Sequence, residues 1–279
     1  MIIIWGASNT IIKLALREIS PMGFVRLRLI LSSFFMLAML KISEKNIGAS
    51  FSDFLKFTLL GLLGYGIFHP LFTAGLNYTT AADCSIIMAT SPLFGVIISI
   101  AMQIEKVNKK NVLGILISLI GVFIVVSKDL PSTLAWATRF TGNLLMVAAV
   151  ISFAFYTVLA KPALEKNSPL KVNTYSIVTG TVILLPMAIK PVFSQNWLAV
   201  SPLAWFILLF CVIISTGLSY TLWYRGVAQI GPTRTMIYHS LIPVTTISFA
   251  IPILGETISF YQVLGAFIAV IGIYIARRG

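Results

Sequence analysis

An all-α integral membrane protein of ten transmembrane helices, arranged as two inverted five-helix repeats, is the fold class this sequence predicts. Three observations predict it. The 279 residues are 58% hydrophobic and only 10% charged, against about 25% charged in an ordinary soluble domain. Long runs carry no Asp, Glu, Lys or Arg, among them 57–82, 84–104, 140–160, 172–189, 235–255 and 257–276. Each is close to the roughly 20 residues a helix needs to cross the hydrocarbon layer. Residues 75–121 also recur at 226–272: a constant offset of 151 relates Gly75 to Gly226, Pro92 to Pro243, Glu105 to Glu256, Gly114 to Gly265 and Gly121 to Gly272. Chance does not keep one register through such a set; duplication does. Bundled helices follow, because unpaired backbone amides are too costly in lipid.

The elements follow in order. Segment 1 covers about Met1 to Leu16 and is interrupted by Asn9 and Lys13. It is short for a span, leaving room for a frayed start or a missing turn. It leads in without a basic n-region or small-residue cleavage site, so no cleavable signal peptide is expected and the segment acts as its own insertion signal. Ser20-Pro21 opens segment 2, the hydroxyl placed to cap and the proline where its missing N–H costs nothing; the segment runs to about Leu40, and a polar loop follows. Segment 3 takes Phe54 to about Leu76 and holds Gly61, Gly64 and Gly66 before His69-Pro70. Segment 4 runs from about Ala82 to Gln103 with Pro92 at its centre. Segment 5, Val112 to Ser127, carries Gly114 and Gly121 on one face, where another helix can approach closely.

The longest connection, 128–141, separates a first repeat at 1–127 from a second at 142–279. Segment 6 covers Gly142 to Ala160 and is expected to end at Lys161-Pro162; Ser168-Pro169 opens segment 7 as Ser20-Pro21 opens segment 2, here at an offset of 148. Segment 8 begins at Ser201-Pro202 and ends near Tyr224, segment 9 runs from Pro232 to Leu254 around Pro243, and segment 10 from about Ser259 to Ala276. An odd number of crossings per copy makes the second copy enter from the other side.

Charge tests that inversion independently. With both termini cytoplasmic, the cytoplasmic segments hold Lys41, Lys45, Lys56, Lys106, Lys109, Lys110, Lys161, Lys166, Lys171, Arg225, Arg234, Arg277 and Arg278. The opposite face holds only Arg17, Lys128, Arg139 and Lys190, while Lys13, Arg26 and Arg28 lie within helix ends. That bias fixes the orientation. It also explains the net charge of +12 as topogenic, which excludes nucleic acid as the partner it would otherwise suggest. Cys84 and Cys211 are lone thiols in apolar runs, so neither a disulfide framework nor a metal site is expected, and no cofactor. Phosphate loops, His-Glu-x-x-His, Gly-x-Ser-x-Gly and paired catalytic acids do not occur.

The candidate solute site lies around the paired prolines. A proline inside a helix frees the carbonyl four residues back, that of Met88 for Pro92 and of His239 for Pro243. Both lie near the bilayer midplane, where freed carbonyls are tolerated only against protein or a wet cavity. Pro92 and Pro243 are read as hinges, with Ser91 beside the first. The histidines of this sequence, His69 and His239, fall inside membrane segments, where a polar ring is costly without a partner. Trp5, Tyr65, Tyr156, Tyr220, Trp223, Tyr224 and Tyr238 offer rings with polar tips on the same segments, and Asn9 adds an amide. The bland readings stand beside these: a packing kink, a hydrogen-bonded neutral histidine, and interfacial aromatics. Lys13 and Arg26 are expected to face one another across the Ser20-Pro21 turn and either snorkel outward, the favoured reading, or bind a carboxylate. Asp83, Glu105 and Glu256 are expected at helix ends.

Trp5-Gly6 followed by Lys13, Pro21 and Arg26, then Tyr78-Thr79-Thr80-Ala81-Ala82, Ser91-Pro92-Leu93, and Glu105 ahead of Gly114 and Gly121, resemble the EamA family of the drug/metabolite transporter superfamily. Pro243, Leu254-Gly255-Glu256, Gly265 and Gly272 echo it in the second half. The resemblance implies a multi-pass transporter of the plasma (inner) membrane, usually an exporter of amino acids or similar small metabolites. It also implies a central cavity between the halves, walled by segments 1–4 and 6–9, with segments 5 and 10 peripheral. A small organic solute and membrane lipid are the expected partners, and a homodimer is compatible with the architecture. The rival classes are an intramembrane enzyme acting on a lipid-linked substrate, for which His69, His239 and Asp83 are the available groups, and a pore or scaffold.

Overall fold

The computed structural model describes residues 1–45, 47–102, 109–127, 134–186 and 195–277; Glu105, Lys106, Lys128, Lys190 and Arg278 lie outside them. Among the described residues every regular element is helical. In chain order the rods are α1 (Ile2–Ala15), α2 (Pro21–Ser43), α3 (Phe51–Tyr78), α4 (Ala81–Ala101), α5 (Lys109–Ser127), α6 (Leu134–Leu164), α7 (Pro169–Leu184), α8 (Pro202–Ile230), α9 (Pro232–Leu254) and α10 (Phe260–Arg277). Among the described residues, six stretches are long and apolar enough to cross a membrane: α2, α3, α4, Ala137–Leu164 of α6, α8 and α9. The apolar stretches Ile2–Ala15, Val112–Val125 and Phe260–Ile275 are shorter. This is a multi-pass membrane protein.

Helix starts follow the expected chemistry. Ser20, Ser168 and Ser201 each accept a backbone N–H three residues on, from Gly23, Lys171 and Ala204, with proline at the next position. Three expectations need correction. The sixth segment does not stop at Lys161-Pro162: α6 starts at Leu134 and runs through Pro162 to Leu164. A proline that close to the C-terminus disturbs only the last turn. Segment 4 is not one kinked helix but two pieces, Ala81–Met88 and Ser91–Ala101, with Pro92 in the first turn of the second. Pro243 likewise opens Ile242–Leu254, after a tight 3-10 turn at Tyr238–Leu241. Its expected consequence changes too, because the Ile242 N–H re-satisfies the His239 carbonyl.

The sequence did not reveal a wide π turn in α3 at Leu62–Phe68 and another in α8 at Cys211–Leu218. They lie at nearly matching places in the two copies, one ahead of His69 and the other ahead of Tyr220. Such turns shift the facing of everything after them and recur at functional sites.

Helix α1 packs beside α9, α3 beside α6 and α7, α2 beside α7 and α8, and α4 beside α6 and α9. Helices α5 and α10 pack on each other. A Cβ at Gly121 would lie 2.5 Å from the Gly265 carbonyl oxygen, and one at Gly272 would lie 2.3 Å from the Ser118 nitrogen. The close approach expected of Gly121 is therefore realised against α10. Leu113, Leu116, Phe123, Val263, Phe267 and Tyr274 are exposed on this pair, so its outer face suits lipid.

Candidate functional site

At the centre of the bundle is a narrow chamber walled by buried side chains. Its walls come from α1 (Trp5, Ser8, Asn9, Ile12), α2 (Arg28), α3 (Phe68, His69, Phe72), α4 (Met88), α6 (Phe153), α8 (Ser215, Tyr220) and α9 with its 3-10 turn (His239, Ile242). None of these residues is more than 8% exposed, so the chamber is occluded. Helices α5 and α10 contribute nothing to it.

Each functional side chain is held by identifiable contacts. The Trp5 indole N–H donates to the Ser215 carbonyl at 3.1 Å, and Asn9 donates to Thr246 at 3.1 Å. The His239 ring stacks on Phe153 at 4.7 Å and lies 4.6 Å from Trp223 and 5.3 Å from Trp5. Its Nδ1 is 2.9 Å from the Ser91 hydroxyl, which the break before Pro92 turns inward, and the Met88 carbonyl lies beside the ring. His69 stacks on Tyr65 at 5.2 Å and takes a hydrogen bond on Nδ1 from the Arg28 guanidinium. Because a guanidinium can only donate, that bond makes His69 the tautomer with its proton on Nε2.

Two side-chain networks flank the chamber. On the face where α4 begins, the Thr80 hydroxyl caps the helix by accepting the Asp83 N–H at 3.0 Å, and Glu256 adds to it by accepting the N–H groups of Ala81 and Ala82 at 2.8 and 3.0 Å. Lys13 is 3.5 Å from Glu256 and donates to the Thr79 carbonyl. Alongside, the fully buried Asp83 accepts from Gln262 at 2.7 Å, Arg139 at 3.2 Å and Thr79 at 3.2 Å, and Thr79 reaches Asn143 at 2.7 Å. This network ties α1, α4, α6 and α10 together. On the other face an aromatic layer with hydrogen-bonded tips replaces it. The Tyr65 hydroxyl donates to Asn173 at 2.6 Å and lies 3.3 Å from that of Tyr156, while Asn173 donates to the Gly217 carbonyl and to Thr221. Trp223 donates to Thr157 at 3.2 Å, and the Tyr156 and Tyr224 rings are 5.3 Å apart. A Cβ at Gly64 would lie 2.4 Å from the Tyr156 ring, so glycine is what lets that ring lie against α3.

Of the residues singled out in the sequence, Trp5, Asn9, His69, Met88, Tyr220 and His239 line the chamber. Tyr65, Tyr156, Trp223 and Tyr224 form the aromatic layer, and Ser91 anchors His239. Pro92 and Pro243 sit at the two breaks. Tyr238 is 48% exposed and lies outside the chamber, because the tight turn that brings His239 inward sends its neighbour out. Lys13 and Arg26 do not meet: Lys13 joins the Glu256 network, while Arg26 donates to the Leu185 carbonyl at 2.6 Å. Each donates to a backbone carbonyl, of Thr79 and of Leu185. Sequence reasoning missed Arg28, Phe153 and Asn173. For Arg28 a signal existed: it lies seven residues beyond Pro21, about 10 Å into the helix, deeper than Arg26. Among the described residues no cluster of potential metal ligands occurs.

The sequence model of the EamA-like transporter family matches residues 1–127 and 140–278. An uncharacterised transporter of Bacillus subtilis, YyaM, is 30% identical over 97% of this chain and 89% of its own length. An uncharacterised transporter of Archaeoglobus fulgidus is 28% identical over 98% and 93%. A probable amino-acid metabolite efflux pump of Salmonella typhimurium is 23% identical over 99% and 91%. One crystal structure of a protein overlays with a TM-score of 0.68 at 15% identity, covering 99% of this chain and 94% of that one; at that identity the likeness speaks for the fold alone.

Proposed function

The chain belongs to the EamA-like transporter family, and from that premise we propose that it is a secondary transporter that exports small organic metabolites, such as amino acids, by alternating access. The observation that carries the reading is the occluded central chamber with a different seal at each face. One seal is ionic and hydrogen-bonded, from Lys13, Glu256, Asp83 and Arg139; the other is aromatic, from Tyr65, Tyr156, Trp223 and Tyr224. Opening one while keeping the other is the minimal cycle such a protein needs. The two copies are inverted repeats that rock about the breaks at Pro92 and Pro243. Both termini are cytoplasmic in the plasma (inner) membrane, so the ionic seal faces outward and the aromatic seal faces the cytoplasm. The efflux function named for the Salmonella relative supports export of a metabolite.

The test is solute flux in liposomes holding the purified protein. Saturable flux that is lost when the two faces are cross-linked shut supports transport. Product formation without flux would instead support the enzyme, and unsaturable flux a pore.

A further inference from the structure

The chamber holds a cation with no anion. Arg28 is 2% exposed, and no carboxylate among the described residues pairs with it. Its Nη2 meets His69, the guanidinium also hydrogen-bonds the Cys211 thiol, its face lies 5.4 Å from the Phe24 ring, and its Nε has no hydrogen-bond partner. His69 is 3% exposed, and its Nε2, which carries the proton, is also without a partner. Buried polar groups are nearly always satisfied, and a buried guanidinium held only by a neutral imidazole and a thiol, with no anion, is the costly exception. Two N–H donors in one wall, with nothing to accept them, describe half of a binding site.

Resting on the transport reading above, we infer that the solute is an organic anion whose carboxylate docks on Arg28 Nε and His69 Nε2, with its apolar or aromatic body against Trp5, Phe153 and Tyr220. A carboxylate has two acceptor oxygens and can take one charge-assisted bond from the Arg28 Nε–H and one bond from the His69 Nε2–H. The remaining wall suits a body without charge: among the described residues no Asp or Glu lines the chamber. An ammonium group would find only neutral acceptors, the Asn9 amide, the Ser8 and Ser215 hydroxyls and ring faces, in the repulsive field of Arg28. The chamber therefore prefers the simple acid to the matching amino acid.

The experiment uses the full chain in detergent and in liposomes, with 3-phenylpropanoate, hexanoate and pyruvate as acids. Each acid is paired with its amide, and the first also with phenylalanine and phenethylamine. At least one acid should bind roughly tenfold or more tightly than its amide, raise the melting temperature, and show saturable flux that phenethylamine does not inhibit. In Arg28→Gln the preference should vanish, and in Arg28→Lys part of it should return. Either variant may be judged only if it elutes as one species. The wild-type acid-to-amide ratio stands without them. Amides that bind as well as their acids, or an acid preference that survives in folded Arg28→Gln, would overturn the proposal. Saturable flux of a neutral or cationic solute with no acid recognised overturns the anion site and leaves transport standing, whereas no saturable flux from any charge class sinks the transport reading itself.

Discussion

Replacing Glu256 with Gln should unlock one face of the chamber. The carboxylate contributes in three ways. Its pair with Lys13 spans 3.5 Å between side chains 26% and 10% exposed, worth about 1 kcal/mol for a partly solvated pair. Its charge at the N-terminus of α4 is worth about 0.3–1 kcal/mol. Its hydrogen bonds to Ala81 and Ala82 at 2.8 and 3.0 Å are charge-assisted, and an amide, which has one acceptor oxygen, gives up about 1 kcal/mol there. Together they amount to about 2–3 kcal/mol, or roughly a 30- to 150-fold shift toward the state open at that face. The assay places a cysteine at Ile12, in the chamber wall, in a background with Cys84 and Cys211 replaced by Ala. A membrane-impermeant maleimide is then applied to sealed vesicles of each sidedness. Labelling of Ile12→Cys should rise steeply with Glu256→Gln from the Glu256 face and stay low from the other. Unchanged labelling at that face would refute the lock, and an equal rise from both faces would mean loosened packing instead.

Three further outcomes are expected. Tyr65→Phe removes the 2.6 Å bond to the buried Asn173, costing about 1–3 kcal/mol; the melting temperature should fall and cysteine labelling should rise at the face opposite Glu256, and an unaltered melting curve would count against the aromatic seal. Gly121→Leu drives a side chain into the Gly265 carbonyl and the Ala269 backbone, each 2.5 Å from its Cβ. It should cost about 1–3 kcal/mol or more and leave solute affinity unchanged, since α5 and α10 do not line the chamber; a large affinity change in folded protein would contradict that separation. The Ser201 N–H and hydroxyl hold the Glu18 carboxyl below its ordinary value of 4.5. A depressed value stabilises the fold above the unfolded-state value and loses that contribution as pH falls through the folded one. Melting temperatures of wild type and Glu18→Gln should therefore differ at neutral pH and converge in acid; a gap that persists in acid would exclude the linkage.

Local rules made much of the fold legible. Charge-free runs of span length placed the rods, Ser-Pro pairs at Ser20, Ser168 and Ser201 marked three starts, and the glycines of α5 and α10 announced a close helix contact. These depend on composition and near neighbours, which a sequence carries directly. The site was legible in half. His69, His239, Trp5, Asn9, Tyr220 and Met88 stood out because polar or interrupted positions inside an apolar run are costly and visible. Tyr238 stood out for the same reason and lies outside, because a single 3-10 turn decides which of two adjacent side chains faces inward.

What the sequence by itself determined is the membrane class, the duplication, and the kinds of group available at mid-depth. Only the tertiary structure decided which groups meet. The two π turns rotate Tyr65, His69 and Tyr220 into one layer, and Arg28, Glu256 and Asn173 find partners 41, 175 and 108 residues away. The physical reason is that burial of a charge is a property of everything packed around it. No local pattern states whether a guanidinium inside a helix will reach a carboxylate, a headgroup or, as at Arg28, an imidazole and a thiol in a chamber wall.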